Sequence, residues 1–149
     1  AFDGYEVQTF GNEYAHIVLR GGNQTSNYSF THLMEVKRYM DMHRVSNPAV
    51  LIDASHDNCI INGKKEYLSQ PNIIMSVIED LKKHPHLRKL VKGFMIESFL
   101  KEGNQKLDDQ DHKDIDLDGL SITDPCIGWE QTEDLLLKVA EIIKPNNTY

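Results

Sequence analysis

The sequence predicts an α/β fold of alternating strands and helices. Short apolar runs at 14–19, 49–53 and 90–96 have the length of buried strands. Polar loops followed by segments with apolar residues at helical spacing separate the first run from the second and the second from the third. Strands alternating with helices imply parallel pairing through right-handed crossovers, which favours α/β over α+β.

Tyr14-Ala-His-Ile-Val-Leu19 is the first strand, and it ends at Arg20-Gly21-Gly22, where the glycines permit a tight turn or a close backbone approach to a ligand. After the polar loop 23–27, Ser29 to Met42 reads as a helix with Leu33, Val36 and Met40 at helical spacing and Ser29 or Thr31 as its cap. Ala49-Val-Leu-Ile-Asp53 is the second strand, followed by the polar loop Ser55-His56-Asp57-Asn58. The second helix, Asn72 to Lys83, carries an apolar stripe of Ile73, Ile74, Val77, Ile78 and Leu81, and His84-Pro85 stops it. Leu90 to Ile96 is the third strand, ending at Glu97-Ser98. A long acidic loop spans Lys101 to Gly119, and Thr132 to Ile143 forms a last amphipathic helix before Pro145. About three such units fit, either as a small open sheet or as part of a (β/α)8 barrel, which needs about 250 residues when complete. Length alone favours the open sheet.

With 149 residues, 40% hydrophobic and 26% charged, the chain has the composition of one globular domain spanning 1–149. The net charge of -7 argues against a nucleic-acid partner, which needs clustered cations. Small anions stay within reach, because a few cations focused in one cleft outweigh the sign of the whole surface. Two cysteines, Cys59 and Cys126, without a CxxC pairing, read as buried free thiols in a reducing, cytoplasmic setting. No apolar run approaches the ~18 residues of a membrane span, and the first ten residues lack a secretory pattern, so no membrane partner is expected.

Each strand delivers polar groups at its C-terminal end: Arg20, then Asp53 and His56, then Glu97. α/β proteins place ligands there, although such residues also cap helices and satisfy loop amides. An imidazole with two carboxylates is a plausible partial shell for manganese, iron, cobalt or zinc, and His56, Glu97 and Asp124 would supply it. Spacing alone makes this triplet a weak signal, because an acidic chain with seven histidines offers many. His84 and His86, beside Pro85, read as solvated loop residues. Asp114-Ile-Asp116-Leu-Asp118-Gly119 opens like a calcium loop, but the bidentate carboxylate would fall on Pro125, so a flexible acidic loop is the better account. Dinucleotide, P-loop and serine-hydrolase motifs are absent, while Gly21-Gly22 could present backbone amides to a phosphate.

Several stretches go beyond physical pattern. His16-Ile-Val-Leu-Arg-Gly-Gly22, Leu51-Ile-Asp-Ala-Ser-His-Asp-Asn58, Gly93-Phe-Met-Ile-Glu-Ser-Phe-Leu-Lys-Glu-Gly-Asn-Gln105 and Ser121-Ile-Thr-Asp-Pro-Cys-Ile-Gly-Trp-Glu130 together resemble the last three strand-ends of class I 3-deoxy-D-arabino-heptulosonate 7-phosphate synthase. The resemblance implies the C-terminal portion, roughly the sixth to eighth βα units, of a (β/α)8 TIM barrel. It implies condensation of phosphoenolpyruvate with erythrose 4-phosphate, entry to the shikimate pathway, and a divalent metal, manganese first, with iron, cobalt or zinc as alternatives. His56, Glu97 and Asp124 would be the metal ligands, Arg20 a contact to phosphoenolpyruvate, and Asp124 a further substrate contact, with all four in the catalytic site. Asp53 would orient His56 rather than bind metal, and Cys126 would serve packing.

The family's cysteine ligand at the end of its first strand has no counterpart here, and most of its phosphate-gripping cations also lie in a portion not matched. The expectation is a part of a larger enzyme, working as a homo-oligomer or with a complementary N-terminal chain. The rival expectation is a non-catalytic barrel remnant that binds metal, anions or a partner. The lysine-rich stretch 82–92 and the acidic stretch 108–118 read as surface insertions.

Overall fold

A computed structural model describes residues 3–4, 6–107 and 114–144; the acidic positions 108–113 and Pro145 lie outside the described residues. The elements run β1 (Ile17–Leu19), α1 (Phe30–Met42), β2 (Val50–Asp53), β3 (Ile60–Ile61), β4 (Lys64–Lys65), α2 (Gln70–Lys83), β5 (Val91–Met95) and α3 (Trp129–Ile143). A parallel sheet forms in the order β1-β2-β5, with Leu19 opposite Ile52 and Asp53 opposite Met95. The α/β expectation therefore holds, with all three strands ending on one side.

Element boundaries moved for local reasons. β1 starts at Ile17 rather than Tyr14, because the Tyr14 amide donates to Asn12 Oδ1 at 2.9 Å and turns the chain away from the ladder. Helix α2 begins at Gln70 and accommodates Pro71 in its first turn, where a missing N–H costs nothing. Helix α3 begins three residues before the expected Thr132: the Gly128 carbonyl accepts from the Thr132 amide at 3.0 Å, and the Gly128 amide donates to Gln131 Oε1 at 3.0 Å. The loop after His56 contains an antiparallel hairpin, β3–β4, closed by Asn62-Gly63 with φ of 52° and 76°. Both residues adopt the left-handed conformation that an Asn-Gly pair tolerates.

The core lies on one face of the sheet. Leu33 and Met40 of α1 and Val77 of α2 pack against Leu19, Val50, Ile52 and Val91. A second cluster joins Leu135 of α3 to Ile73, Ile74 and Ile78 of α2, with Phe94 and Ile96 packed alongside. By strand alternation Val18 and Leu51 point to the opposite face, and neither belongs to these clusters. His84 departs from expectation: its ring stacks on Phe30 with centroids 4.0 Å apart, so it closes the end of α2 instead of standing in solvent.

The described part of the acidic loop is anchored. Buried Gln105 donates to the Asp116 carbonyl at 2.7 Å and accepts from the Asp116 amide at 2.9 Å. The Asp116 carboxylate takes the Lys101 ammonium at 2.6 Å and the Asp118 amide at 2.8 Å, and the Lys101 bond holds its pKa below the usual range. The middle carboxylate of the calcium-like motif is thus engaged in internal bonds. No helix among the described residues is long and apolar enough to cross a membrane.

Gly21 has φ of 78°, and a Cβ there would sit 2.6 Å from Asp57 Cβ and 2.8 Å from the Asn58 amide nitrogen. Backbone strain and overpacking then add, so Gly21→Ala should lower unfolding free energy by about 2 kcal/mol or more. Urea denaturation of the two proteins checks this; coincident midpoints would show that the β1 and β2 loops move apart freely.

Candidate metal centre

The strand ends bring four polar side chains together. Asp53 closes β2 and is 2% exposed. His56 opens the single 3-10 turn that follows it, Glu97 lies just beyond β5, and Asp124 sits in the loop before α3. One ligand atom each from His56, Glu97 and Asp124 lies within 4.8 Å of the other two, the one such group among the described residues. The triplet that sequence spacing suggested only weakly is assembled because parallel strands deposit their ends on one side.

Asp53 decides the state of His56. Its Oδ2 lies 2.6 Å from His56 Nδ1, and a carboxylate only accepts, so the imidazole donates from Nδ1; in the neutral ring the lone pair is then on Nε2. His56 Nε2 is 3.8 Å from Glu97 Oε1, too far for a hydrogen bond. It is within the roughly 4.2 Å that two ligands each about 2.1 Å from one ion can span. The backbone supports this placement at some cost: His56 has φ of 44°, a left-handed conformation unfavourable by roughly 1 kcal/mol in a non-glycine residue.

Glu97 is located through its backbone. Gln70, with no exposed surface, accepts from the Glu97 amide at 2.8 Å and donates to the Glu97 carbonyl at 3.1 Å. Asp124 is located through its side chain, which accepts a hydrogen bond from Lys65 on β4. That bond, more than the opposing effect of burial, holds the Asp124 carboxyl below the usual range; the charges of Lys65, His56 and Arg20 act in the same direction.

Buried Asn58 ties the loops to the sheet. Its carboxamide donates to the carbonyls of Leu19 at 2.9 Å and Asp53 at 2.7 Å, and accepts from the Asn27 amide at 2.8 Å. Arg20 is exposed at the end of β1, and its carbonyl accepts from the Asp57 amide at 3.1 Å. The expectation that Gly21-Gly22 offers amides to a phosphate fails, because Gly21 donates to Asn27 Oδ1 at 2.8 Å and Gly22 to the Thr25 carbonyl at 2.9 Å. Cys59 and Cys126 are free and buried, as expected of packing residues.

Sequence reasoning missed Lys65, Gln70 and the bonding of Asn58. Lys65 was within reach, since Asn62-Gly63 between Ile60-Ile61 and Lys64-Lys65 is a hairpin signal. A polar side chain such as Gln70, buried to grip a backbone far along the chain, leaves no local pattern.

With this geometry, similarity to known proteins becomes decisive. The profile of the DAHP synthetase I family matches residues 2–137. The chain belongs to that family. It is 39% identical over 139 residues to the Phe-sensitive phospho-2-dehydro-3-deoxyheptonate aldolase of Escherichia coli, covering 93% of this chain and 36% of that protein. A phospho-2-dehydro-3-deoxyheptonate aldolase of Alternaria alternata is 34% identical over 142 residues, covering 95% and 36%. The solved aldolase of the same name from Francisella tularensis superposes with a TM-score of 0.74 at 30% identity, covering 90% of this chain and 36% of the other. The chain thus spans about a third of the length of these relatives.

Replacing Asp53 by Asn keeps the shape and removes the charge that fixes the His56 tautomer. Calorimetric titration of Asp53→Asn with Mn2+ should show binding about 10-fold weaker than in the parent chain. Equal affinity would show that His56 needs no carboxylate to present Nε2.

Proposed function

We propose that residues 1–149 form one partial domain, the C-terminal arc of a (β/α)8 barrel in a metal-dependent 3-deoxy-D-arabino-heptulosonate 7-phosphate synthase. The observation that carries the reading is the convergence of His56, Glu97 and Asp124 at strand C-terminal ends in a chain of this family. The arc is supported by a parallel three-stranded sheet whose helix clusters lie on one face only, leaving the face of Val18 and Leu51 for a barrel interior.

The overall reaction joins phosphoenolpyruvate, erythrose 4-phosphate and water into the seven-carbon keto acid phosphate with release of inorganic phosphate. Its carbon–carbon bond forms between the enol carbon of the first substrate and the aldehyde carbon of the second. Arg20, exposed beside the triplet, carries a planar fork of donors suited to an anionic oxygen of phosphoenolpyruvate. His56 presents Nε2 because Asp53 occupies Nδ1, while Glu97 and Asp124 contribute carboxylate oxygens, the first placed by the grip of Gln70 on its backbone and the second by Lys65. One imidazole with two carboxylates fits manganese first, and iron, cobalt or zinc after it. When bound, such an ion supplies positive charge that polarises a carbonyl oxygen. Asp124, half-exposed, would also be a substrate contact.

The shikimate pathway is the setting this reaction implies, and two free buried thiols support a reducing, cytoplasmic one. A second reading is favoured by the bare sheet face. Apolar residues left without a helix layer support association, either with a complementary chain that completes the barrel or with further copies of this one. In that reading the arc binds metal, anions or a partner without turnover.

Consumption of phosphoenolpyruvate by the complete protein should depend on manganese and erythrose 4-phosphate. In Glu97→Ala it should fall by at least about 100-fold. Full activity in that variant would sink the ligand assignment.

A further inference from the structure

Each candidate ligand has its own anchor, and the third anchor is the least expected. His56 is fixed by a buried carboxylate and Glu97 by a buried carboxamide on its backbone. Asp124 has a side chain 46% exposed, and among the described residues the single side chain hydrogen-bonded to its carboxylate is Lys65. An exposed carboxylate without such a partner samples several rotamers, and ordering it on binding costs free energy.

The chain builds a dedicated arm for this lysine. The β3–β4 hairpin pairs Ile60 with Lys65, and the Glu66 amide donates to the Cys59 carbonyl at 2.8 Å, fastening the hairpin to the buried turn that carries His56. Alternation along β4 leaves Lys64 exposed and turns Lys65 inward, where its side chain is 25% exposed. A lysine ammonium takes one carboxylate oxygen as a point donor and leaves the other free. Its charge also offsets the crowding of Asp53, Glu97 and Asp124 around the imidazole.

We propose that Lys65 is a positioning residue for Asp124, holding one carboxylate oxygen so that the other faces the position shared with His56 and Glu97. The inference rests on the reading of those three residues as metal ligands. Removing the arm should therefore weaken metal binding, although Lys65 touches no metal itself. A cation that merely competed with the metal for Asp124 would have the opposite effect.

The test is a Mn2+ titration, by calorimetry and by loss of the free-ion electron paramagnetic resonance signal, on the full chain and five variants. Lys65→Met should bind Mn2+ about 10-fold more weakly with an unchanged thermal midpoint, and Lys65→Arg, which still donates, should recover most of the loss. In an Asp124→Asn background, Lys65→Met should produce no further loss, because the two act through one contact. Unchanged or tighter binding by Lys65→Met, or fully additive losses, would overturn the proposal. Glu97→Ala separates the two levels. If it loses Mn2+ while Lys65→Met does not, the positioning role alone fails; if Glu97→Ala also binds normally, the ligand set itself is wrong.

Discussion

The carboxamide of Asn58 is the interaction on which the arrangement of strand ends depends. One buried side chain donates to the last carbonyls of two neighbouring parallel strands and accepts from the loop after the first. Parallel strands cannot be joined by a tight hairpin, so their ends carry backbone groups with no neighbour in the ladder. Leaving such groups buried and unpaired costs about 1–3 kcal/mol each. Asn58 satisfies three of them with one side chain, and in doing so fixes where the turn bearing His56 leaves the sheet. The left-handed Gly21 and the left-handed His56 both follow from that crowding, one by necessity of space and the other by the sharp exit of the chain.

From this frame the candidate centre is assembled by three unlike devices. A carboxylate next to an imidazole is an electrostatic device, and it selects a tautomer. A carboxamide bonded to both backbone groups of Glu97 is a geometric one, since it sets position without altering charge. An ammonium on a hairpin does both at Asp124. The three anchors lie on β2, α2 and β4, so the precision of the centre depends on how those elements pack rather than on any single loop. Helix α2 is therefore structural and functional at once: Ile73, Ile74, Val77 and Ile78 bury it, and Gln70 at its first turn reaches the site.

How much of this was legible in the sequence follows from the range of each interaction. Strands and helices were legible because their signals are periodic within a dozen residues, as in the apolar stripe from Ile73 to Leu81. Ends were not, because single local features, the bonds of Asn12 and Gln131 and the place of Pro71 in a first turn, shift a boundary by two or three residues. His56, Glu97 and Asp124 were reached weakly from strand-end position and more firmly from the family resemblance. Their supports were hidden for physical reasons: Gln70 and Glu97 are 27 residues apart, and Lys65 and Asp124 are 59 apart. No local pattern encodes such pairs. The lining of Gly21-Gly22 misled in the other direction, because glycine is compatible both with an open anion cradle and with a loop closed on itself.

Charge explains why this arc and its function are not coextensive. Around the proposed centre stand Asp53, Glu97 and Asp124, against Lys65 and Arg20, with the His56 imidazole between them. That set welcomes a divalent cation, and it leaves one exposed guanidinium for anions. The two phosphate-bearing substrates of the proposed reaction would bring several negative charges into a cleft whose walls lower the dielectric, and each would need charge-assisted partners. The chain spans 36% of the Escherichia coli relative, and among the described residues neither Val18 nor Leu51 belongs to the helix-packed clusters. In the proposed barrel the remaining strands close that interior and bring the missing positive charge to the rim. On that proposal this chain would contribute the metal side of the cleft, and the segments facing it the phosphate side.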